Sequence, residues 1–168
     1  MTASAAGNGR LRRMAPPVVR LAAPGDAGAA GRLLHEFNAS VNAPTPGAAA
    51  MARRVRELLE ADEAVVLLAG DGPDGVLVLR LRPALWSEGL DAYVEELYVA
   101  PAARRRGLGR ALMQAAMELA RKRGAVHVDL FTGEDDHPAR ALYERLGFTS
   151  DRDLYYARAL GAARSNST

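Results

Sequence analysis

Apolar positions along this chain recur with two different periods, and each change of period marks a new element. Residues 18–22 are short and β-branched enough for a first strand. Pro24-Gly25-Asp26 follows as a turn in which Asp26 is placed to cap a helix reaching about Phe37. Leu33, Leu34 and Phe37 recur there at helical spacing and are expected to face a core. Residues 38–47 contain Pro44, Pro46 and several small polar side chains, so they are expected as a loop of the kind that lines substrate entrances. The spacing predicts a second helix over 48–60, with Met51, Val55, Leu58 and Leu59 along one side.

The pattern then switches to extended runs. Residues 64–69 and 76–82 flank the turn signal Asp71-Gly72-Pro73-Asp74-Gly75 and are expected to pair as an antiparallel hairpin. Residues 86–89 connect to a strand over 90–99. A helix is predicted over 107–123, with Leu108, Leu112, Ala115, Met117 and Leu119 as its apolar stripe and a basic, glycine-terminated end at Arg121-Lys122-Arg123-Gly124. Residues 125–131 read as a buried strand carrying Val126, Val128 and Leu130. Asp135 or Asp136 can cap a helix over 138–146 that Gly147 stops, and 148–150 and 154–159 read as two last short strands. Antiparallel strands followed by a β-α-β unit imply an α/β (α+β) fold with a mixed sheet covered by helices.

Composition adds bounds. At 168 residues the chain suits one domain, expected over 17–161 between a disordered N-terminal arm (1–16) and a flexible tail (162–168). A formal net charge of +2 is too small to mark a nucleic-acid binder, and the pI near 9.3 reflects bases that are nearly all arginine, Lys122 being the single lysine. With no cysteine, disulfides, thiol nucleophiles and cysteine metal sites are excluded. No apolar run reaches the roughly 18–20 residues of a membrane span, and the first fifteen residues lack a signal peptide's apolar core, so a cytoplasmic location is expected.

The candidate chemistry is concentrated in 95–112. It reads as a strand carrying Glu95 and Glu96, a proline turn, the basic loop Arg104-Arg105-Arg106-Gly107-Leu108-Gly109-Arg110, and the start of a helix. Unpaired N–H groups at a helix N-terminus favour an anion, and arginine forks suit phosphate oxygens. Gly107 and Gly109 would let the backbone approach a pyrophosphate closely. Regular strand alternation sends the two glutamates to opposite faces, with Glu95 sharing a face with Leu97 and Val99, although a β-bulge would swap that assignment. Either glutamate could serve as a base, and ordinary strand salt bridges are the alternative for each.

Arg104-Arg105-Arg106-Gly107-Leu108-Gly109 resembles the [Gln/Arg]-x-x-Gly-x-[Gly/Ala] signature of the GNAT superfamily of acyl-CoA-dependent N-acetyltransferases. Residues 136–148, with Asp136, Ala139, Leu142, Tyr143, Gly147 and Phe148, are similar to that superfamily's Asn-x-x-Ala-x-x-Leu-Tyr segment and its following Gly-Phe. The resemblance covers 18–160 and is nearest to GNAT-type aminoglycoside 3-N-acetyltransferases. It implies a mixed, mostly antiparallel twisted sheet of six to seven strands with about four helices on both faces. It also implies acetyl-CoA as cosubstrate, no metal, and acetyl transfer to a primary amine, and it is compatible with a homodimer.

On the same resemblance, Glu95 or Glu96 takes the ammonium proton, and Tyr143 protonates the departing thiolate, a core tyrosine being the alternative for Tyr143. Leu97, Tyr98 and Val99 line the acyl-pantetheine arm, and backbone N–H groups around Tyr98 and Val99 stabilise the oxyanion. Asp136 stands where the family has Asn. An ionised Asp only accepts hydrogen bonds, so helix capping is the expected role there. Read from the residues themselves, Glu134, Asp135 and Asp136, with Glu88, Asp91, Glu95 and Glu96, could draw in a cationic amine, an acidic loop plus a helix cap being the alternative. The acceptor expected is a small amine of polyamine or aminoglycoside type.

Alternatives are acetylation of a protein N-terminus or lysine, a non-catalytic acyl-CoA-binding regulatory module, and a nucleic-acid binder using the arginines. The Gly-x-x-x-x-Gly-Lys loop, the third glycine of a dinucleotide fingerprint and a Gly-x-Ser-x-Gly elbow do not occur. His35, His127 and His137 lack metal-ligand spacing and read as structural.

Overall fold

A computed structural model of the chain describes residues 16–150. Compact packing divides the chain into two units, with the boundary between Gly133 and Glu134.

In the first unit, five strands form one sheet in the order β1 (Val19–Leu21), β2 (Val65–Ala69), β3 (Gly75–Pro83), β4 (Leu90–Val99) and β5 (Ala125–Leu130). The first four pair antiparallel, and β4 pairs parallel with β5, so the expected mixed sheet is present. Backbone bonds from Ala22 to Val66 and from Gly70 to Val18 carry the first ladder over the span that the sequence predicts.

Helices α1 (Ala27–Ser40) and α2 (Ala48–Glu60) cover one face. Their Ala30, Leu33, Leu34, Val55 and Leu58 join Val66, Leu68, Val76, Val78 and Tyr98 in one buried core. The two helices meet at Gly31, where an added Cβ would lie 2.6 Å from the Ala52 Cα and 2.9 Å from its Cβ. Gly31→Ala is therefore expected to lower unfolding free energy by about 1–3 kcal/mol, read from a denaturant titration, because α1 and α2 must separate to admit one methyl group.

Helix α3 (Leu108–Lys122) covers the other face; the side of β3 on which Gly75 would carry a Cβ meets Leu112. Its buried stripe is Leu108, Leu112, Ala116 and Ala120, four residues apart, with Met113 beside Leu112. The expected Ala115, Met117 and Leu119 lie beside that stripe and are only partly buried. Asp26 also departs from expectation. It precedes α1 but does not cap it: its carboxylate turns back to accept from the Ala23 N–H and, through both oxygens at 2.7 Å, from Arg20. The Arg20 guanidinium, with the Ala23 N–H, holds the Asp26 carboxyl down at about 2.

Strand β5 is not buried as predicted. Val126 is 59% exposed and Phe131 67%, because among the described residues β5 has a neighbour on one side only. The connection between β3 and β4 carries two further exposed apolar residues, Leu85 and Trp86.

The second unit contains α4 (His137–Arg145), whose N-cap Asp136 accepts from the Ala139 N–H at 3.1 Å. After the C-cap Leu146, Gly147 takes φ +90°. The Gly147 N–H donates to the Glu144 carbonyl, and the Phe148 N–H donates to the Tyr143 carbonyl at 3.0 Å. This is the Schellman arrangement, in which a left-handed glycine closes the last turn. The short strand expected over 148–150 is not formed: the Phe148 N–H closes the helix, and Thr149 and Ser150 lie in neither helix nor strand. The strand expected over 154–159, the N-terminal arm before Pro16 and the tail lie outside the described residues.

Candidate functional site

The loop between β4 and α3 is built by two residues in the left-handed region, Arg105 at φ +64° and Gly107 at φ +83°. Gly107 is the N-cap of α3 and carries no side chain to satisfy the first turn; the first backbone bond of the helix is Ala111 N–H to the Gly107 carbonyl. The N–H groups of Leu108, Gly109 and Arg110 therefore lack intrahelical acceptors and sit at the positive end of the helix dipole. A Cβ on Gly107 would find only Pro17, at 3.9 Å, so the space in front of this helix start is open. An anion the size of a pyrophosphate fits that arrangement of donors and space.

The three loop arginines are not equivalent. Arg104 donates from Nε to the Val99 carbonyl at 3.0 Å, and its guanidinium stands 6.0 Å from the Tyr98 ring centre. It fastens the end of β4 to the loop. Arg105, Arg106 and Arg110 are exposed beside the helix start.

Strand β4 itself is irregular at the two glutamates. Glu96 pairs with Val78 and Val94 with Leu79, which leaves Glu95 as an extra residue between two consecutive pairs. That β-bulge breaks the alternation. Glu95 does not share a face with Leu97 and Val99. Its carboxylate accepts from Arg80 Nε at 2.6 Å, and Arg80 also donates to the Glu63 carbonyl just after α2. Glu96, opposite Val78 and two residues from Tyr98, stands on the same α1–α2 side of the sheet. Phe37 of α1 packs against Tyr98 with ring centres 5.7 Å apart, which ties the end of α1 to this part of β4.

The two carboxylates differ in environment. Glu95 is held by a guanidinium, whereas burial, and then the neighbouring Glu95 charge, raise the Glu96 carboxyl above its ordinary value. Sequence reasoning missed Arg80. Its signal is an arginine breaking the apolar run of β3, a weak cue because Arg82 follows two residues later and strand-end arginines are common.

The parallel ladder between β4 and β5 ends at Val94–Leu130, while β4 continues to Val99 paired with β3 alone. Beyond Val94, the outward N–H and C=O groups of β4 have no strand beside them among the described residues. Leu97 and Val99 flank this open edge half-buried, and the Tyr98 side chain is buried in the core at 5% exposure. Tyr98 can thus contribute its backbone there while its ring serves packing.

In the second unit, the Tyr143 ring meets Phe148 edge-on at 6.0 Å, the apolar contact that accompanies the helix stop. Burial, and then the charge of Asp136, push the Tyr143 phenol up to about 12. Among the described residues no group of three or more His, Cys, Asp or Glu side chains is placed to hold a metal ion, and no helix is long and apolar enough to cross a membrane. His35 is structural: its Nδ1 lies 3.0 Å from Thr45 Oγ1, tying α1 to the loop that follows it.

Comparison with known proteins bears on this geometry. The sequence profile described as "Acetyltransferase (GNAT) family" matches residues 34–148. A mycothiol acetyltransferase of Beutenbergia cavernae is 40% identical over 91 residues, which cover 52% of this chain and 29% of that protein. The chain thus spans under a third of that curated relative's length. A candidate acetyltransferase of known structure from Arthrobacter sp. FB24 is 42% identical with a TM-score of 0.77, covering 85% of this chain and 96% of that one. An aminoglycoside acetyltransferase structure, HMB0005 from an uncultured soil metagenomic sample, is 29% identical with a TM-score of 0.71, over 88% of this chain and 100% of that one.

Proposed function

The chain belongs to the acetyltransferase (GNAT) family, and from that membership we propose that it moves an acetyl group from acetyl-CoA directly to a primary amine of a small molecule. The observation that carries this reading is the bulge in β4, which sets a half-buried Glu96 at the point where the β4–β5 ladder ends. The mycothiol and aminoglycoside acetyltransferases among its relatives support a small-molecule acceptor.

When bound, acetyl-CoA supplies an activated thioester. The open start of α3, with Leu108, Gly109 and Arg110 N–H groups and the exposed Arg105, Arg106 and Arg110, would hold its pyrophosphate. The unpaired edge of β4 at Leu97, Tyr98 and Val99 would hold the pantetheine arm and carry N–H donors for the carbonyl oxygen. Glu96 takes the proton from the incoming ammonium, directly or through water. Its raised pKa makes it a stronger base than an ordinary carboxylate while Arg80 keeps Glu95 engaged. Tyr143 would donate to the leaving thiolate; a phenol at about 12 stays protonated through the neutral range. Asp136 is committed to its helix cap, with Ala139 as the donor.

Incubation with acetyl-CoA and a panel of small amines and peptides, read by mass spectrometry, tests this function. Acetylated small amines are expected, and modification of peptides alone would overturn the acceptor class. CoA binding without transfer to any amine would overturn the activity. Tyr143→Phe is expected to lower kcat roughly 10- to 100-fold while acetyl-CoA affinity stays within about twofold, since only the donor hydrogen is removed. A Phe variant with full turnover would take Tyr143 out of the mechanism.

A further inference from the structure

The bulge in β4 brings two adjacent carboxylates to the α1–α2 side of the sheet, Glu95 as the extra residue and Glu96 opposite Val78. Arg80 of β3 touches only the first of them. Its Nε donates to Glu95 Oε2 at 2.6 Å, and its Nη1 donates at 2.9 Å to the Glu63 carbonyl, in the turn that closes α2. The Arg80 side chain is 28% exposed, so this pair is less screened by solvent than a surface pair. One planar group thereby fixes the Glu95 carboxylate against the end of a helix, at two points set by the fork of the guanidinium.

Glu96 has no such partner: burial and then the Glu95 charge act on it. The other charged groups on the elements around it are engaged elsewhere or lie apart. On α1, Glu36 pairs with Arg32, and His35 meets Thr45. On β5, Asp129 has Arg82 of β3 at 4.0 Å, and the exposed His127 lies across from Asp91, five residues before Glu96. Helix α3 lies against the other face of the sheet. The charge on Glu95 is therefore the one that Arg80 must hold if Glu96 is to ionise readily.

We propose that Arg80 is a positioning residue for the transfer, drawing the Glu95 carboxylate toward the end of α2 so that Glu96 alone presents a carboxylate to the reacting amine. The inference rests on the reading of Glu96 as the base. Without Arg80, the Glu95 charge is uncompensated. It then opposes ionisation of Glu96 more strongly and competes for the incoming ammonium in a pairing that leads to no proton transfer.

Two readouts on the full chain test this. One is the pH titration of the Glu96 carboxyl by carbon-13 NMR in the free protein, which needs no substrate. The other is the ratio of kcat/KM at pH 8 to that at pH 5, for the small amine acetylated in the panel above. Arg80→Met is expected to move the Glu96 titration to higher pH and to raise the ratio about three- to tenfold. Glu95→Gln removes the opposing charge and leaves Arg80 behind, so it is expected to move the titration to lower pH and reduce the ratio. The double variant should return close to the wild type, and Arg80→Lys, which keeps the charge, should recover most of the change caused by Arg80→Met. A folding defect lowers activity at every pH and cannot move the two single variants in opposite directions. A Glu96 titration that does not move, or moves the same way in both single variants, would overturn the proposal. Opposite shifts in the titration with an unchanged kcat/KM ratio would sustain the coupling and overturn the reading of Glu96 as the base.

Discussion

Glu96→Gln is expected to lower kcat roughly 10²- to 10⁴-fold, the range over which positioned acid–base groups act, while acetyl-CoA affinity stays near that of the wild type. The amide keeps the shape of the side chain and removes its capacity to take a proton. The pH profile sharpens the test. Glu96 must be ionised to act as a base, and its carboxyl is raised by burial and by Glu95, so kcat/KM should fall on the acid side through a value above that of an ordinary glutamate. That limb should vanish in the variant. Stability should move the other way. A carboxyl raised on folding stabilises the folded state while protonated, and that contribution is lost as pH rises through the raised value. At neutral pH the ionised Glu96 is therefore a cost, and the glutamine variant should melt at or above the wild-type temperature. A matched loss of activity and of Tm would instead mark Glu96 as a structural residue.

Gly107→Val is expected to weaken CoA binding on the order of 10²-fold or more. Two effects act together. Gly107 holds φ +83°, a conformation that costs a β-branched residue about 1–2 kcal/mol or more, so the loop will relax away from it. The added methyl groups also project into the open space before α3, where the cofactor phosphates would meet the Leu108 and Gly109 N–H groups. Losing one or two charge-assisted backbone contacts at roughly 1.5–3 kcal/mol each accounts for the size of the effect. Calorimetry with CoA and a thermal melt separate the two causes. Unchanged CoA affinity would remove this loop from phosphate binding altogether.

Much of the framework was legible because it rests on local signals. The period of apolar residues and the flanking turns gave α2 at 48–60 and β4 at 90–99 with their observed ends. The glycines marked the start of α3 and the stop of α4. What escaped depends on pairing between distant segments. The bulge at Glu95 is defined only by how β4 is matched against β3, and two adjacent glutamates give no hint of which is the extra residue. Arg80 reaches Glu95 from fifteen positions away, so the different environments of the two carboxylates could not be read from either neighbourhood. The inward turn of Arg104 and the exposure of Val126 and Phe131 were hidden for the same reason: composition reports what a side chain prefers, and the sheet edge determines what it receives. Phe148, expected in a short strand, instead packs against the Tyr143 ring as the helix closes, a contact that depends on the left-handed turn at Gly147.

The exposed connection between β3 and β4 has an optical consequence. Trp86 is the chain's single tryptophan and is 93% exposed. Its indole already sits in water in the folded protein, so its emission should change little when the chain unfolds. A flat fluorescence trace through a denaturant series would say nothing about whether the sheet survives, and melting of the variants above is better followed by circular dichroism. The same insensitivity makes Trp86 a useful site for a reporter: a fluorophore placed there would see a second molecule docking on the β3–β4 connection before it saw anything in the core.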